Sequence, residues 1–467
     1  MDLPSEMVEK YGEAEKLILE SDSIKVYSHI DCDGMCSGAI LSTLLDRLGK
    51  EHEIEFVNLD VLDDLPLTHD LTIFSDLGSG QGVDNHASSD NSIIILDHHP
   101  PLRDESYGDS VSYEYVEINP MFYGIDGSDF VCGGGLCYFL AKTFGHTDLS
   151  WIGVLASVGD MQNNKTGKLE GLNKLILADA ISEGYIQVND DLSLYGRETR
   201  PIQVALSYFS DVNLPFTNDV NEAIALLKEL NIPIRGSMDE PRTLCDLDPM
   251  EKGKLFSKLV EMISREVPER YSKHIPKLIL ADTYDFLKED DHTFLRDASE
   301  FSTAMNACGR NKEYNVALKI LKGDRAAAYD QLEEVSRKHK YNLQKSMKQI
   351  RDTGVVELEN LQYFDGTSIP PEIVGTIAGM ILGYCNWRKP IIGFTSSDDE
   401  HLKISLRCSR LLSYDDIHFG EIIREVSHSL GGSGGGHAMA CGAYISMDKK
   451  DDFLKLMDEK IEGLIYK

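Results

Sequence analysis

Short apolar runs alternate with longer amphipathic stretches over roughly the first third of the chain. The apolar runs are rich in Ile, Val, Leu and Phe, which is typical of strands buried on both faces. The predicted strands are residues 24–28, 54–58, 71–74, 93–96 and 113–118. Apolar positions at helical spacing predict helices at residues 34–48, 135–143 and 149–157. This alternation predicts an α/β domain with a mainly parallel sheet, to which we assign residues 1–198.

The hydrophobic pattern changes twice after residue 198. Residues 199–302 combine helical periodicity, clearest at 220–230 and 252–265, with long polar connections, and predict a mainly helical insertion or extension. Residues 303–351 predict a linker with one long helix at 325–351, a stretch that contains neither Gly nor Pro. Residues 352–467 predict a smaller C-terminal α/β unit. Its predicted strands are 355–358, 390–394, 402–407 and 440–446, and its predicted helices are 371–384 and 419–429.

The charge balance changes what partners are expected. The chain has 78 acidic and 46 basic residues, a formal net charge of −32, which argues against a general nucleic-acid binder. The charge of a local groove can differ from the net charge of the chain. A site for divalent cations also needs carboxylates, and the bound cations then supply positive charge. The acidity therefore fits a solvated outer face, an adaptation to salt or a surface for a basic partner. Residues 337–351 hold six Lys or Arg and no acid, which indicates an exposed linker helix or a surface that follows phosphates.

The chain shows no sign of export or of membrane insertion. No apolar run approaches the roughly 20 residues of a membrane span. The first residues are acidic and polar, unlike a secretory signal or a transit peptide. The nine cysteines are dispersed and form no CxxC pair, which is typical of reduced intracellular thiols. We therefore expect a cytoplasmic protein without membrane contacts.

Acids and histidines follow several of the predicted apolar elements. The clusters are His29, Asp31 and Asp33; Asp76; Asp97, His98 and His99; and Asp160. In extended backbone alternate side chains point the same way, so the first cluster is predicted to converge on one point. A single Asp after a strand is commonly a helix cap, and a His pair is commonly a polar turn. Four such clusters in one α/β domain favour a metal site, since ligands bind beyond the carboxyl ends of parallel strands.

The donor set narrows the choice of metal. Mixed carboxylate and imidazole ligands favour Mn²⁺, with Mg²⁺ as the alternative. Two divalent cations that share a carboxylate can activate water and neutralise phosphoryl oxygens. The clusters therefore predict a divalent-metal site suited to a phosphoryl substrate.

The C-terminal unit contains a glycine run, SLGGSGGGHAMACGAYI. Bare glycine backbone lets N–H groups approach an anion, and His437 adds a donor. Flexible loops have similar composition, but a position between a helix and an apolar strand favours an ordered turn. Arg407 and Arg410, in ISLRCSR, are candidates for additional positive charge.

These segments together resemble a known family. HIDCDG, SDLG, LDHH and VGD resemble the metal-site motifs of the DHH phosphoesterases. GGSGGGHAMACG resembles the glycine-rich motif of the DHH-associated C-terminal domain, and MNACGR is similar to a segment that RecJ proteins carry between their domains. The length and the helical middle are most similar to archaeal RecJ-like nucleases, which include a GINS-associated nuclease. The middle segment is the main departure expected from bacterial RecJ cores.

The resemblance implies a role for each matching residue. His29, Asp31 and Asp76 would hold one metal, and Asp33, Asp76, His98 and Asp160 the other, so that Asp76 bridges. His99 would contact the scissile phosphate, and Asp97 would orient a ligand. The implied substrate contacts are Ser37, Gly434, Gly435, Gly436, His437 and Arg407, with Asn306 and Arg310 supporting the domain junction or contacting the strand.

The function implied by the resemblance is a metal-dependent exonuclease that acts on single-stranded DNA, RNA or both, in replication or repair. Its implied partners are single-stranded nucleic acid, GINS and the replicative helicase. A nanoRNase or cyclic-dinucleotide phosphodiesterase shares both domains but is usually shorter. A replication-helicase scaffold related to RecJ is the non-enzymatic alternative, although such a scaffold would have eroded ligands. Type II inorganic pyrophosphatase fits less well, because its first motif spaces His and Asp further apart.

Overall fold

The computed structural model describes residues 2–397, 400–414 and 417–464. The chain divides into two compact units. The first unit comprises Met1–Asn189 and Asp282–Arg337, and the second comprises Asp190–Ala281 and Lys338–Lys467. Each unit is therefore assembled from two separate stretches of sequence.

The strands and helices of the described residues have the following bounds. The strands are β1 (Ser23–His29), β2 (Glu51–Val57), β3 (Leu71–Ser75), β4 (Ser92–Leu96), β5 (Glu114–Ile118), β6 (Ile186–Leu192), β7 (Leu280–Phe286), β8 (Val356–Glu357), β9 (Gln362–Asp365), β10 (Ile391–Ser396), β11 (His401–Arg407), β12 (Ser433–Gly436) and β13 (Ala440–Ser446). The α-helices are α1 (Ser5–Glu20), α2 (Cys32–Leu48), α3 (Gly133–Thr143), α4 (Ser150–Gly159), α5 (Asn173–Ser182), α6 (Ile202–Ser207), α7 (Val220–Glu229), α8 (Pro249–Glu266), α9 (Ala298–Arg310), α10 (Tyr314–Leu321), α11 (Ala327–Thr353), α12 (Val374–Ile381), α13 (Arg410–Ser413), α14 (Phe419–Ser429) and α15 (Lys450–Lys460).

The first unit is built on a parallel sheet of five strands in the order β2-β1-β3-β4-β5. Every residue of β3 is buried, as expected for a central strand covered on both faces. Helices α2, α3, α4 and α9 share one apolar core with β1 and β3. Because all five strands run in the same direction, their carboxyl ends lie along one edge, where ligands commonly bind in such folds. The predicted α/β class and parallel sheet are confirmed.

The turn from β1 into α2 is determined by its end residues. The Asp31 side chain caps α2 by accepting a hydrogen bond from the Gly34 N–H at 3.0 Å. At the other end Gly49 adopts φ +68°, the left-handed conformation that terminates helices. The helix begins at Cys32, two residues before the predicted start, because the cap precedes the glycine.

The second unit contains a six-stranded sheet in the order β12-β13-β11-β10-β9-β8. Only the β9–β10 pair is parallel among its described pairs. Helices α6, α7 and α8 enclose a separate apolar core, to which Trp387 and Leu411 of the C-terminal stretch also belong. The middle segment therefore shares a core with part of the C-terminal stretch.

Three features of the described residues bear on the sequence expectations. Residues 186–192 and 280–286 form a two-stranded sheet, β6 with β7, in stretches where the sequence pattern predicts no strand. These stretches contain polar residues and form no apolar run. Because the two strands that pair are almost a hundred positions apart, the local pattern does not predict them. Gly434–Gly436 lie in strand β12, paired with β13, where we expected a turn. Glycine has no side chain to hinder this extended pairing. In the described part of the chain, no helix is long and apolar enough to span a membrane.

Candidate metal centre

The four acid and histidine clusters of the sequence meet at one edge of the parallel sheet. His29 is the last residue of β1, Asp76 follows β3, and His98 follows β4. These three strands are neighbours in the sheet. Asp31 and Asp33 enter from the first turn of α2, and Asp160 is the C-terminal cap of α4. Strand ends and helix ends thus combine to gather the predicted ligands.

The side chains divide into two groups on either side of Asp76. In the first group, His29 Nδ1 lies 3.0 Å from Asp31 Oδ2 and 3.4 Å from Asp76 Oδ2. In the second, His98 Nε2 lies 3.3 Å from Asp76 Oδ1. The same nitrogen lies 3.7 Å from Asp33 Oδ2 and 3.8 Å from Asp160 Oδ2. Asp76 therefore presents one oxygen to each group, which is the geometry required of a bridging carboxylate.

Several potential metal-ligand atoms in this cluster lack a hydrogen-bond partner. Both carboxylate oxygens of Asp76 and Nδ1 of His29 are buried and make no hydrogen bond to any described residue. Buried polar atoms are almost always satisfied, so such atoms need an explanation. The ligand atoms of His29, Asp31 and Asp76 lie within 4.8 Å of one another, as do those of Asp33, His98 and Asp160. The donor set fits one divalent cation in each group.

The electrostatics of the cluster also favour cations. Burial, Asp76 and Asp160 raise the pKa of Asp33 well above its ordinary value. Burial lowers the pKa of His29, but Asp31 and Asp76 outweigh it and raise that pKa well above its ordinary value. Both shifts arise because buried carboxylates repel one another and attract protons. Divalent cations at the same positions would neutralise these carboxylates without protons.

The backbone around Asp76 and Asp33 leaves no space for larger residues. Asp76 adopts φ +60°, an uncommon conformation for a residue other than glycine. A Cβ added at Gly133 would lie 2.5 Å from Asp76 Cβ. The Gly133 and Gly134 N–H groups, at the start of α3, donate to Asp33 at 2.8 and 2.7 Å. The glycines of the VCGGGLC segment therefore support two ligands, a role that the sequence analysis missed although the segment is visible as a glycine run.

His98 is held in one orientation by its neighbours. Its Nδ1 lies 2.7 Å from the Gly127 carbonyl, so Nδ1 carries the proton and Nε2 faces the carboxylates. The Gln162 amide donates to the same carbonyl at 2.8 Å and to Asp160 Oδ2 at 2.9 Å. Gln162 therefore joins two candidate ligands, and its only signal in the sequence is its place after VGD.

Asp97 and His99 occupy different positions from the six candidate ligands. Asp97 is fully buried and accepts the backbone N–H groups of Ser79, His98 and His99. His99 Nδ1 also donates to Asp97 at 2.7 Å, which leaves Nε2 of a 36% exposed side chain outside this bond. Burial alone would raise the pKa of Asp97, but these donors hold it well below its ordinary value. The geometry suits Asp97 as an orienting residue and His99 as a donor.

The first cluster converges differently from the sequence prediction. Alternation along an extended strand would have directed His29, Asp31 and Asp33 to one point. Instead the chain turns into α2 at Asp31, so Asp33 already belongs to the helix. Asp33 consequently joins His98 and Asp160, while His29 and Asp31 form the other group.

Helix α9 packs against this turn. The Asn306 side-chain oxygen accepts the Cys32 N–H at 3.0 Å. A Cβ at Gly309 would overlap the Ile30 carbonyl oxygen, so only glycine permits the approach. Burial raises the pKa of Asp31, but His29 and Gly34 hold it well below its ordinary value, and Arg310 adds to that lowering. Within the described residues, the side chain of Arg310 forms no ion pair or hydrogen bond. Asn306 thus supports the turn, and Arg310 offers a cation beside the first group.

The remaining predicted contacts are distributed over both units. Ser37 is fully buried inside α2, so its predicted contact with substrate is not supported. In the second unit, Gly434–Gly436 lie in β12, and the His437 N–H donates to the Ala440 carbonyl in the turn to β13. Arg407 donates to the Leu406 carbonyl at 2.8 Å. Arg410 pairs with Asp211 at 2.5 Å, so it does not supply the additional free charge that we expected.

One cation near the glycine strand was missed by the sequence analysis. A Cβ at Gly435 would lie 3.2 Å from the Arg424 guanidinium, which therefore lies over the bare backbone of β12. Arg424 forms no ion pair with any residue that the structure describes. Its position on the helix before the glycine run is the only signal that the sequence offers.

Comparison with known proteins identifies the family. Sequence models match the N-terminal domain of the DHH family at residues 23–155, the DHH-CID domain at 194–279 and the DHHA1 domain at 358–463. An uncharacterised protein of Methanocaldococcus jannaschii, MJ0831, is 31% identical over 464 residues, covering 97% of each chain. The chain belongs to the DHH family, and its fold is that of a RecJ-like member.

Two solved structures share this fold at low sequence identity. RecJ from Thermus thermophilus in complex with Mn²⁺ superposes with a TM-score of 0.58 at 14% identity. That match covers 98% of this chain but 55% of RecJ, so this chain spans about half its length. CDC45 from Entamoeba histolytica gives a TM-score of 0.59 at 15% identity, over 98% and 99% of the two chains.

Proposed function

We propose that this protein is a two-metal phosphodiesterase that degrades single-stranded DNA or RNA from an end. The observation that carries the proposal is the placement of Asp76, whose two buried oxygens face separate groups of nitrogen and oxygen donors. A single structural metal would not need a shared carboxylate of this kind. The family membership and the fold of RecJ support a phosphoesterase.

Each candidate ligand has a defined place in the proposal. His29, Asp31 and Asp76 would hold one cation, and Asp33, Asp76, His98 and Asp160 would hold the other. When bound, two divalent cations supply an activated water and neutralise charge on the phosphoryl oxygens. We propose Mn²⁺ as the preferred ion and Mg²⁺ as a substitute, since the set mixes imidazole with carboxylate.

The surrounding residues would act directly on the substrate. His99, oriented by Asp97, would donate a hydrogen bond to the scissile phosphate through Nε2. Arg310 would bind a phosphate oxygen beside the first group, because it has no competing carboxylate partner among the described residues. In the second unit, β12, His437, Arg407 and the basic residues of α11 would contact the strand away from the reacting phosphate.

The same fold also occurs in CDC45, so a scaffold function is the alternative. The retention of every candidate ligand favours catalysis, because an inactive scaffold has no need of unsatisfied buried carboxylates. A phosphodiesterase for dinucleotides would use the same metal centre. We further propose a cytoplasmic protein of DNA replication or repair, with GINS and the replicative helicase as partners. The nine free cysteines fit a reducing compartment.

One digestion series separates these functions. The substrates are single-stranded DNA and RNA labelled at either end, a duplex and a dinucleotide, each with Mn²⁺, Mg²⁺ or chelator. The exonuclease proposal expects stepwise shortening of a single strand that depends on the metal. Hydrolysis of the dinucleotide alone would indicate the small-substrate phosphodiesterase. Absence of hydrolysis of all four substrates by folded, metal-loaded protein would favour the scaffold.

A further inference from the structure

Arg103 is a buried cation that contacts the loop after β3. Its side chain is 5% exposed and pairs with Asp84 at 2.7 Å. The same guanidinium donates to the backbone carbonyls of Gln81 at 2.6 Å and Gly78 at 3.2 Å. The Ser79 carbonyl accepts a longer bond at 3.5 Å, so four groups on one loop accept hydrogen bonds from one side chain of the segment after β4.

These two loops carry the central residues of the candidate metal centre. The loop after β3 begins with Asp76, and the segment after β4 begins with Asp97 and His98. The Ser79 N–H donates to Asp97 Oδ2 at 2.9 Å, and the Leu102 N–H donates to the Ser79 carbonyl at 2.7 Å. Arg103 adds bonds on either side of Ser79, so it reinforces the link between the two loops.

The charge of Arg103 is balanced by partners outside the six candidate ligands. Asp84 also accepts hydrogen bonds from the hydroxyl groups of Tyr107, at 2.8 Å, and Tyr113, at 2.6 Å. The guanidinium carbon lies 5.5 Å from the centre of the Tyr107 ring. The charge of Arg103 is thus compensated by Asp84, and its side chain is enclosed by these partners.

A buried ion pair is costly to desolvate and often adds little to stability. An apolar side chain would fill the same volume, but it could not bond three backbone carbonyls and one carboxylate in the same loop. The loop contains Asp76 in a left-handed conformation, which must be held by its surroundings. The hydrogen bonds of Arg103 hold this loop in place.

We propose that Arg103 is a positioning residue that fixes the loop of Asp76 against the segment of Asp97 and His98, and so sets the spacing between the two groups of metal ligands. Asn119 supports the same arrangement, since its amide donates to Ser79 Oγ at 3.0 Å and to the His99 carbonyl at 2.8 Å. The proposal rests on the two-metal function, and it concerns how the metal-free protein places the candidate ligands before the cations bind.

The test measures Mn²⁺ binding by calorimetry in the full chain, without any substrate. Arg103→Met should weaken Mn²⁺ affinity by about 10-fold or more, as is typical when a residue that supports metal ligands is lost. Arg325→Met is the matched control, because Arg325 also bonds a carboxylate, Glu289, and a backbone carbonyl, that of Ile320. Arg325 touches neither metal loop, so its variant should bind Mn²⁺ within about twofold of the wild type.

Arg103→Lys provides the second variant in case Arg103→Met does not fold. Lysine retains the charge beside Asp84 but lacks the planar fork, so we expect an intermediate affinity. Wild-type Mn²⁺ affinity in Arg103→Met, or in Arg103→Lys where only that variant folds, would overturn the proposal. An equal loss in Arg325→Met would also overturn it. A wild-type chain that binds Mn²⁺ yet hydrolyses no strand would refute the nuclease while leaving the positioning role standing.

Discussion

Asp76 is the residue on which both candidate metal positions depend. Its oxygens face His29 on one side and His98 on the other, at 3.4 and 3.3 Å. This placement requires the φ of +60° that follows β3, together with the absence of a side chain at Gly133. A residue in a sparsely populated conformation within a cluster of acids is typical of a functional site rather than of a packing core.

Replacing Asp76 with asparagine should separate activity from stability. Asp76→Asn retains the size of the side chain but removes the shared anion, so we expect hydrolysis to fall by at least about 100-fold. The bound metal should fall below two ions per chain by mass spectrometry. The metal-free variant should keep its fold, because the lost repulsion of Asp33 is offset by the lost attraction of His29 and His98. Lower stability of the metal-free variant would show that Asp76 has a structural role instead.

Gly133 should tolerate no side chain. In Gly133→Ala the new Cβ would lie 2.5 Å from Asp76 Cβ, so the loop must shift. We expect a loss of about 1–3 kcal/mol in the free energy of unfolding and markedly weaker Mn²⁺ binding. Gly12→Ala in α1 is the control, since nothing lies within 4 Å of its Cβ position. That variant should gain about 0.5–1 kcal/mol and bind Mn²⁺ normally. Equal Mn²⁺ affinity in both variants would contradict the assignment of Asp76.

At the scale of elements, the hydrophobic pattern predicted those strands and helices whose formation depends on local sequence. Strands β3 and β4 are largely apolar runs, and the long helix α11 lies within two residues of its predicted bounds. The β6–β7 pair could not be predicted, because its stability comes from distant pairing of polar residues. The candidate metal ligands were identified by residue type, whereas the spacing argument did not divide them into two groups, and only the family resemblance implied that division. That division depends on a helix cap, Asp31, which changes the direction of the chain within one residue.

The basic half of α11 gives a prediction about strand binding. Neutralising Lys345, Lys348 and Arg351 to glutamine should weaken binding of a long single strand and reduce the slope of log affinity against log salt by up to about 2. Dinucleotide cleavage should barely change. Lys450, Lys455 and Lys460 of α15 form the control set, because each already pairs with an acidic side chain. Similar effects of both triple variants would show that α11 acts only through overall charge.

At the scale of the whole molecule, the acidic middle segment belongs to the core of the second unit. Residues of α7 and α8, including Leu227, Leu255 and Leu259, share an apolar cluster with Trp387 and Leu411. The DHH-CID domain matches residues 194–279, which make up most of the segment. Because the segment contributes to this core, we expect the second unit to need it for folding. A partner would therefore bind its outer surface.

Removing residues 220–268 should therefore damage the second unit. The deletion would expose Trp387 and Leu411, so we expect loss of its cooperative unfolding transition and of strand binding. The double variant Met238→Asp and Met250→Asp is the control, because these side chains are 87% and 71% exposed. It should retain folding and nuclease activity. Survival of both in the deletion variant would contradict the shared core.

The most direct test of the two-metal account is the anomalous scattering of Mn²⁺ in crystals of this protein. We predict two peaks on either side of Asp76. One would be coordinated by His29 and Asp31, the other by Asp33, His98 and Asp160. Crystals of Asp76→Asn grown in the same solution should lose at least one peak. A single peak, or peaks away from Asp76 in the wild type, would contradict the account.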